Sequence, residues 1–120
     1  MILADTSVWV QHFRGGCPDF AVALRNHNVS MHPVVLGELA TGNLARRRET
    51  LADLRRLPRA VSGTVEESLA FIETHRLFGR GIGWNDVQLL VAAQLSRHWL
   101  WSLDARLASV AEKLKIAYRP

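Results

Sequence analysis

The sequence predicts a single α/β domain with a short central parallel sheet flanked by helices. Short apolar runs alternate with helix-length stretches along the whole chain, the pattern of strands connected by crossover helices. Proline, glycine and Ser/Thr/Asp residues fall at the junctions, where helix starts and stops need them. At 120 residues and 48% hydrophobic, the chain can bury one core but not two, so one domain over residues 1–120 is expected.

Met1 to Ala4 is apolar and short enough for a buried strand, and Thr6 and Ser7 are positioned to cap a helix running through Phe13. Pro18 opens a second helix to about Asn26, and Val29 to Met31 reads as a second strand. Pro33 opens a helix carrying Glu38, and Gly42 stops it. Leu44 to Leu57 reads as an arginine-rich helix closed by Pro58, with Ala60-Val61 as an edge strand. Thr64 and Glu67 have capping-box spacing, and Val65, Leu69 and Ile72 follow on one helical face. After Gly79-Arg80-Gly81-Ile82-Gly83, Asn85 and Gln88 suit a helix start, with Val87, Leu90, Val91 and Leu95 as its apolar stripe. Trp99 to Leu103 is a strand, Ala105 to about Leu114 a helix, and Ile116-Ala117 a last short strand. Parallel sheets of this kind are covered on both faces and bind ligands at the carboxyl ends of their strands, where Asp5 and Asp104 fall.

Fifteen basic residues, all arginine except Lys113 and Lys115, stand against eleven acidic ones, for a formal charge of +4. Arginine's planar fork suits phosphate and carboxylate, which points to an anionic partner. Cys17 is the only cysteine, so neither an internal disulfide nor a cysteine zinc cluster can form, and a reducing, cytoplasmic setting is expected. The opening residues are unlike a secretory signal, and no apolar run approaches the roughly 20 residues that span a bilayer, so no membrane association is expected.

Asp5 follows the first strand, Glu38 lies on the helix after the second, Asp86 opens the helix after the glycine segment, and Asp104 follows the strand through Trp101. In a doubly wound sheet all four can converge on one crevice. Taken singly, each aspartate also reads as a helix cap and Glu38 as a solvated helix carboxylate. Glu38, however, sits in the apolar stretch Val34-Val35-Leu36-Gly37-Glu38-Leu39-Ala40, where a buried, unpaired carboxylate would be costly and a cation would relieve it. Clustered carboxylates repel unless a cation joins them, and oxygen-only donors favour Mg²⁺ or Mn²⁺ over zinc. Such ions activate water and neutralise charge in phosphoryl displacement.

The residues Asp5-Thr6-Ser7-Val8-Trp9-Val10, Gly37-Glu38-Leu39, Asn85-Asp86-Val87-Gln88-Leu89-Leu90 and Ser102-Leu103-Asp104 occur in an order and spacing that resembles PIN-domain ribonucleases, specifically VapC toxins of VapBC toxin-antitoxin modules. The similarity runs essentially end to end, and His75 to Trp84 looks like one subgroup of these toxins. The resemblance implies a PIN-like parallel sheet with Asp5, Glu38, Asp86 and Asp104 binding Mg²⁺ or Mn²⁺. It implies endonucleolytic hydrolysis of RNA, transfer RNA among the substrates, leaving 5′-phosphate and 3′-hydroxyl ends. It also implies a VapB-type antitoxin and a homodimer as partners. Ser102 stands where the family has a hydroxyl residue that helps to hold the site, and equally reads as an ordinary strand-end hydroxyl.

Arg80 and Arg106 flank the matched motifs and are candidates for phosphate contact, whereas Arg46 to Arg59 reads either as RNA-steering surface or as a solvated face balanced by Glu49 and Asp53. Trp9, Phe13, Phe20 and Leu24 read as core, or as a groove that the resemblance would fill with an antitoxin's C-terminal segment. Trp84, Trp99 and Trp101 likewise read as core, with base stacking the alternative. The glycine segment matches no nucleotide-binding loop, and the five histidines have no metal-ligand spacing. A haloacid-dehalogenase-type phosphohydrolase would need an aspartate where Ser7 stands. A receiver domain would need a strand-end phosphoacceptor where Asp53 lies in a helical stretch. A non-catalytic RNA-binding or regulatory module of the same fold is the remaining rival, and four intact carboxylates argue against it.

Overall fold

The computed structural model describes residues 1–120. β1 (Ile2–Ala4) lies at the centre of a parallel sheet, between β2 (Val29–Ser30) and β3 (Trp99–Trp101). Ile2 is in register with both Val29 and Trp99, and Ala4 with Trp101. Single parallel bridges extend the pairing beyond each edge, Met31 to Arg59 and Leu100 to Ala117. The chain steps outward from β1 through β2 to Arg59, then returns past β1 to β3 and Ala117. Strand order therefore reverses between β1 and β3, and the crevice beyond their carboxyl ends is the place such a sheet offers to a ligand.

Seven helices surround the sheet: α1 (Thr6–Phe13), α2 (Pro18–Arg25), α3 (Pro33–Thr41), α4 (Arg47–Arg56), α5 (Val65–His75), α6 (Trp84–Ser96) and α7 (Ala105–Lys113). α6 is the most enclosed, with Val87 and the unbroken run Leu89 to Ala93 all buried. A helix that is apolar all round at its middle belongs in the core, and α6 packs against β3, α3 and α5. The buried residues form one continuous cluster through Leu3, Val8, Phe20, Leu90, Leu100 and Leu107. No helix is long and apolar enough to cross a membrane.

α3 carries Glu38 and is pinned at both ends. Pro33 sits in its first turn, where a missing N–H costs nothing, and His32 Nδ1 accepts from Val34 N at 3.0 Å. At its other end the guanidinium of Arg47, the first residue of α4, donates to the carbonyls of Ala40 and Gly42. Those carbonyls lack intrahelical partners, so α4 supplies what the helix end needs.

Several local expectations change. Asp5 caps α1, accepting from Val8 N, and Thr6 and Ser7 are already helical. Gly83 caps α6, leaving Asn85 inside the helix rather than at its start. The edge strand expected at Ala60-Val61 reduces to the bridge at Arg59, and β3 stops at Trp101 instead of reaching Leu103. On α5 the capping box forms as expected, but Val65 and Leu69 point to solvent. The side of α5 turned inward carries Ser68, whose hydroxyl is satisfied by the Thr64 carbonyl at 2.9 Å, with Phe71 and Ile72 packed against the core. A small residue there allows close approach to α6, as does Gly63, where a Cβ would meet Val91 Cγ1 at 2.5 Å. Nor do Trp9 and Phe20 line a groove: they pack edge to face at 4.7 Å inside the core, leaving Phe13 exposed and Leu24 partly buried.

Candidate active site

At the reversal point the chain turns from β1 directly into α1, and Asp5 occupies that corner. Its amide donates to the Trp101 carbonyl at 2.9 Å, which fixes the corner against β3. The Asp5 side chain is 7% exposed and receives two serine hydroxyls, Ser7 on Oδ1 and Ser102 on Oδ2, each at 2.5 Å. Burial pushes the Asp5 carboxyl above its ordinary value, and the bonds from Ser102, Ser7 and the Val8 amide work against that rise.

The same serines bind the next loop. Ser102 Oγ accepts from Asp104 N at 3.0 Å, and Ser7 Oγ accepts from Leu103 N at 2.9 Å. The turn from β3 into α7 is thereby held over Asp5. Asp104 caps α7 through Oδ1, which accepts from the amides of Arg106 and Leu107. Glu38 approaches from α3: Thr6 Oγ1 donates to its Oε1 at 2.7 Å. Asp86 lies on the first turn of α6 and accepts from Gly83 N at 3.0 Å.

Hydrogen bonds therefore link Asp5, Ser7, Ser102 and the backbone of Asp104, and join Glu38 to Thr6 beside Asp5. No hydrogen bond joins Asp86 to this group. The helix that carries it, α6, contacts α3, and Arg106 on α7 lies against Gly81 in the loop before α6. Glu38 is exposed, contrary to the burial expected from its apolar surroundings: its neighbours turn inward while it faces out. Asp5 is the buried carboxylate.

None of the three ion pairs, Arg46–Glu49, Arg56–Asp53 and Arg119–Glu112, involves these four acids. Glu38, Asp86 and Asp104 each use one oxygen in a hydrogen bond and leave the other without a protein partner. In donor chemistry the set suits a hard, oxygen-preferring cation. As the side chains stand, no three acidic, imidazole or thiol groups come close enough together to hold one, so the protein alone offers no preformed cage. Beside Glu38 and Thr6 opens a cleft of about 650 Å³, lined on its apolar side by Val10, Phe13, Leu39 and Leu44.

No family model matches the chain. Over 118 residues it is 35% identical to Ribonuclease VapC32 of Mycobacterium tuberculosis, in both strain CDC 1551 / Oshkosh and strain ATCC 25618 / H37Rv, with 98% of this chain and 95% of each relative covered. The chain belongs to the VapC family of PIN-domain ribonucleases. This VapC-family chain has Asp5 at the carboxyl end of its first strand, as expected from the sequence, and the strand order shows that this end lies at the reversal point. The role of the two serines as paired donors to Asp5 was not expected at Ser7, which read as a cap. Its position two residues after a strand-end aspartate was the available signal.

Proposed function

We propose that this protein is a toxin endoribonuclease that hydrolyses RNA phosphodiester bonds with Mg²⁺ or Mn²⁺ held by Asp5, Glu38, Asp86 and Asp104. The observation that carries the reading is Asp5, a buried carboxylate with two serine donors and no cationic side chain, at the ligand-binding end of the sheet. Kinship with Ribonuclease VapC32 supports the choice of RNA as substrate.

When bound, the cation would supply charge neutralisation at the phosphate and acidify the attacking water. The protein's own contribution is orientation. Ser7 and Ser102 fix the Asp5 carboxylate and favour its ionised form against burial, and Thr6 holds Glu38 on the same side. Arg80 and Arg106, exposed and outside every ion pair, are assigned to flanking phosphates.

A VapB-type antitoxin and a second copy of the chain are the protein partners of this reading, in a cytoplasmic setting that accords with the lone Cys17. The antitoxin segment is assigned to the cleft of Val10, Phe13, Leu39 and Leu44, which opens beside Glu38. Incubating purified protein with RNA in Mg²⁺, Mn²⁺ or EDTA tests the activity: cutting is expected with either metal and absent in EDTA and in Asp5→Asn. RNA that is bound but left intact under all these conditions would identify a non-catalytic module instead.

A further inference from the structure

Two groups among the aromatic residues of this chain contrast, with the exposed Phe13 and Trp99 lying outside both. Trp9, Phe20, Trp101 and Tyr118 stack on one another in the interior, with Trp9 at 2% and Trp101 at 5% exposure. Phe78 and Trp84, by contrast, are 62% and 44% exposed and make no aromatic contact. They bracket the turn from Gly79 to Gly83, which positive φ values at Gly79 and Gly81 fold tightly. The far end of that turn donates the Gly83 amide to Asp86. Its middle is covered by the Arg106 side chain, since a Cβ at Gly81 would stand 2.9 Å from Arg106 Cδ. Leu103, between Ser102 and Asp104, is also exposed.

Two exposed aromatic rings and two guanidiniums outside every ion pair thus share one loop region between two of the carboxylates. Aromatic faces alternating with unpaired cations suit a single nucleic acid strand, whose bases offer π-faces and whose phosphates offer charge. A duplex keeps its bases stacked on each other and has no face to give.

We propose that Trp84, with Phe78 beside the same turn, is a stacking platform for unpaired bases of an RNA strand whose phosphates meet Arg80 and Arg106. This rests on the ribonuclease reading for its substrate, but its test does not depend on cleavage. In an Asp5→Asn background with Mg²⁺, binding of a labelled, non-self-complementary RNA strand is compared with binding of the duplex formed with its complement. The strand is expected to bind more tightly and to quench tryptophan fluorescence. Trp84→Ala should weaken the strand roughly 5- to 150-fold, leaving the duplex nearly unchanged, and Trp84→Phe should retain most of the affinity while losing the quench.

Unchanged strand affinity in Trp84→Ala, or equal losses for strand and duplex, overturns the platform. So does intact RNA binding combined with lost inhibition by the antitoxin, which would assign the patch to a protein partner. Cleavage by the wild-type chain is scored separately. Cutting that is indifferent to Trp84 removes only the platform, and Trp84-dependent binding without cutting removes only the ribonuclease.

Discussion

Ser102 Oγ donates to Asp5 Oδ2 across 97 residues of sequence, joining the carboxyl end of β3 to that of β1 at the point where strand order reverses. The bond favours the ionised carboxylate against the burial that opposes it. Removing it in Ser102→Ala therefore raises the Asp5 carboxyl further. The acid limb of the pH–rate profile should move to higher pH, and kcat/KM should fall roughly 10- to 100-fold, the worth of a charge-assisted hydrogen bond. Ser102→Thr keeps the hydroxyl and should keep the wild-type profile. An acid limb in Ser102→Ala superimposable on that of the wild type would sink this role.

Burial of Asp5 makes a second prediction, about stability. Its carboxyl titrates higher in the folded chain than in the unfolded one, so its contribution to stability is present below about pH 3.8 and is lost as the pH rises through the folded value. At neutral pH the ionised group burdens the metal-free fold. Asp5→Asn retains a good helix cap and stays neutral, so metal-free Asp5→Asn should melt higher than the wild type at pH 7. That difference should shrink in acid. Added Mg²⁺ should raise the wild-type melting temperature and leave that of the variant unchanged. Thermal unfolding followed by circular dichroism between pH 3 and 7 checks both parts.

His32 predicts the opposite sign on the pH axis. Burial, and secondarily the charge of Arg59, lower its pKa from 6.5, and its Nδ1 must stay unprotonated to accept from Val34 N at the start of α3. The folded chain therefore binds this proton less readily than the unfolded one, and stability should fall as the pH drops below about 6.5, until the folded value is passed. His32→Asn keeps a cap without the titration, and its melting temperature should be flatter between pH 5 and 7. Identical slopes in the two proteins would remove His32 from the account.

Element by element, what could be read from the sequence was what local chemistry decides. The Thr64–Glu67 capping box, Pro18 and Pro33 at helix starts, Gly42 at a helix end and the strand-end position of Asp5 all follow from neighbouring residues, and all are present. The side of α5 that faces inward was not legible, because Ser68 adds nothing to an apolar pattern and is chosen by its close fit to α6. The exposure of Glu38 was hidden for a related reason: an apolar neighbourhood in sequence wraps around a helix, so one position can still face outward. The Ser7 and Ser102 bonds to Asp5 depend on which strands become neighbours, and no spacing within one segment reports that.

Gly79 and Gly81 offer a matched pair for testing how the loop before α6 is held. Both have positive φ, 70° and 77°, so alanine at either position costs about 1 kcal/mol or more in backbone strain. They differ in surroundings. At Gly79 an added Cβ meets nothing within 4 Å, whereas at Gly81 it comes 2.9 Å from Arg106 Cδ and 3.0 Å from Nη1. The Arg106 side chain is flexible and can move aside, so the two variants should lose similar thermal stability. RNA cleavage should separate them: Gly81→Ala displaces the Arg106 guanidinium and should raise KM several-fold, while Gly79→Ala leaves Arg106 in place. Combining Gly81→Ala with Arg106→Ala gives the decisive comparison. If Arg106 is the route by which Gly81 acts, the double variant should be no worse in KM than Arg106→Ala alone, whereas additive losses would show that Gly81 acts through the backbone of the loop instead.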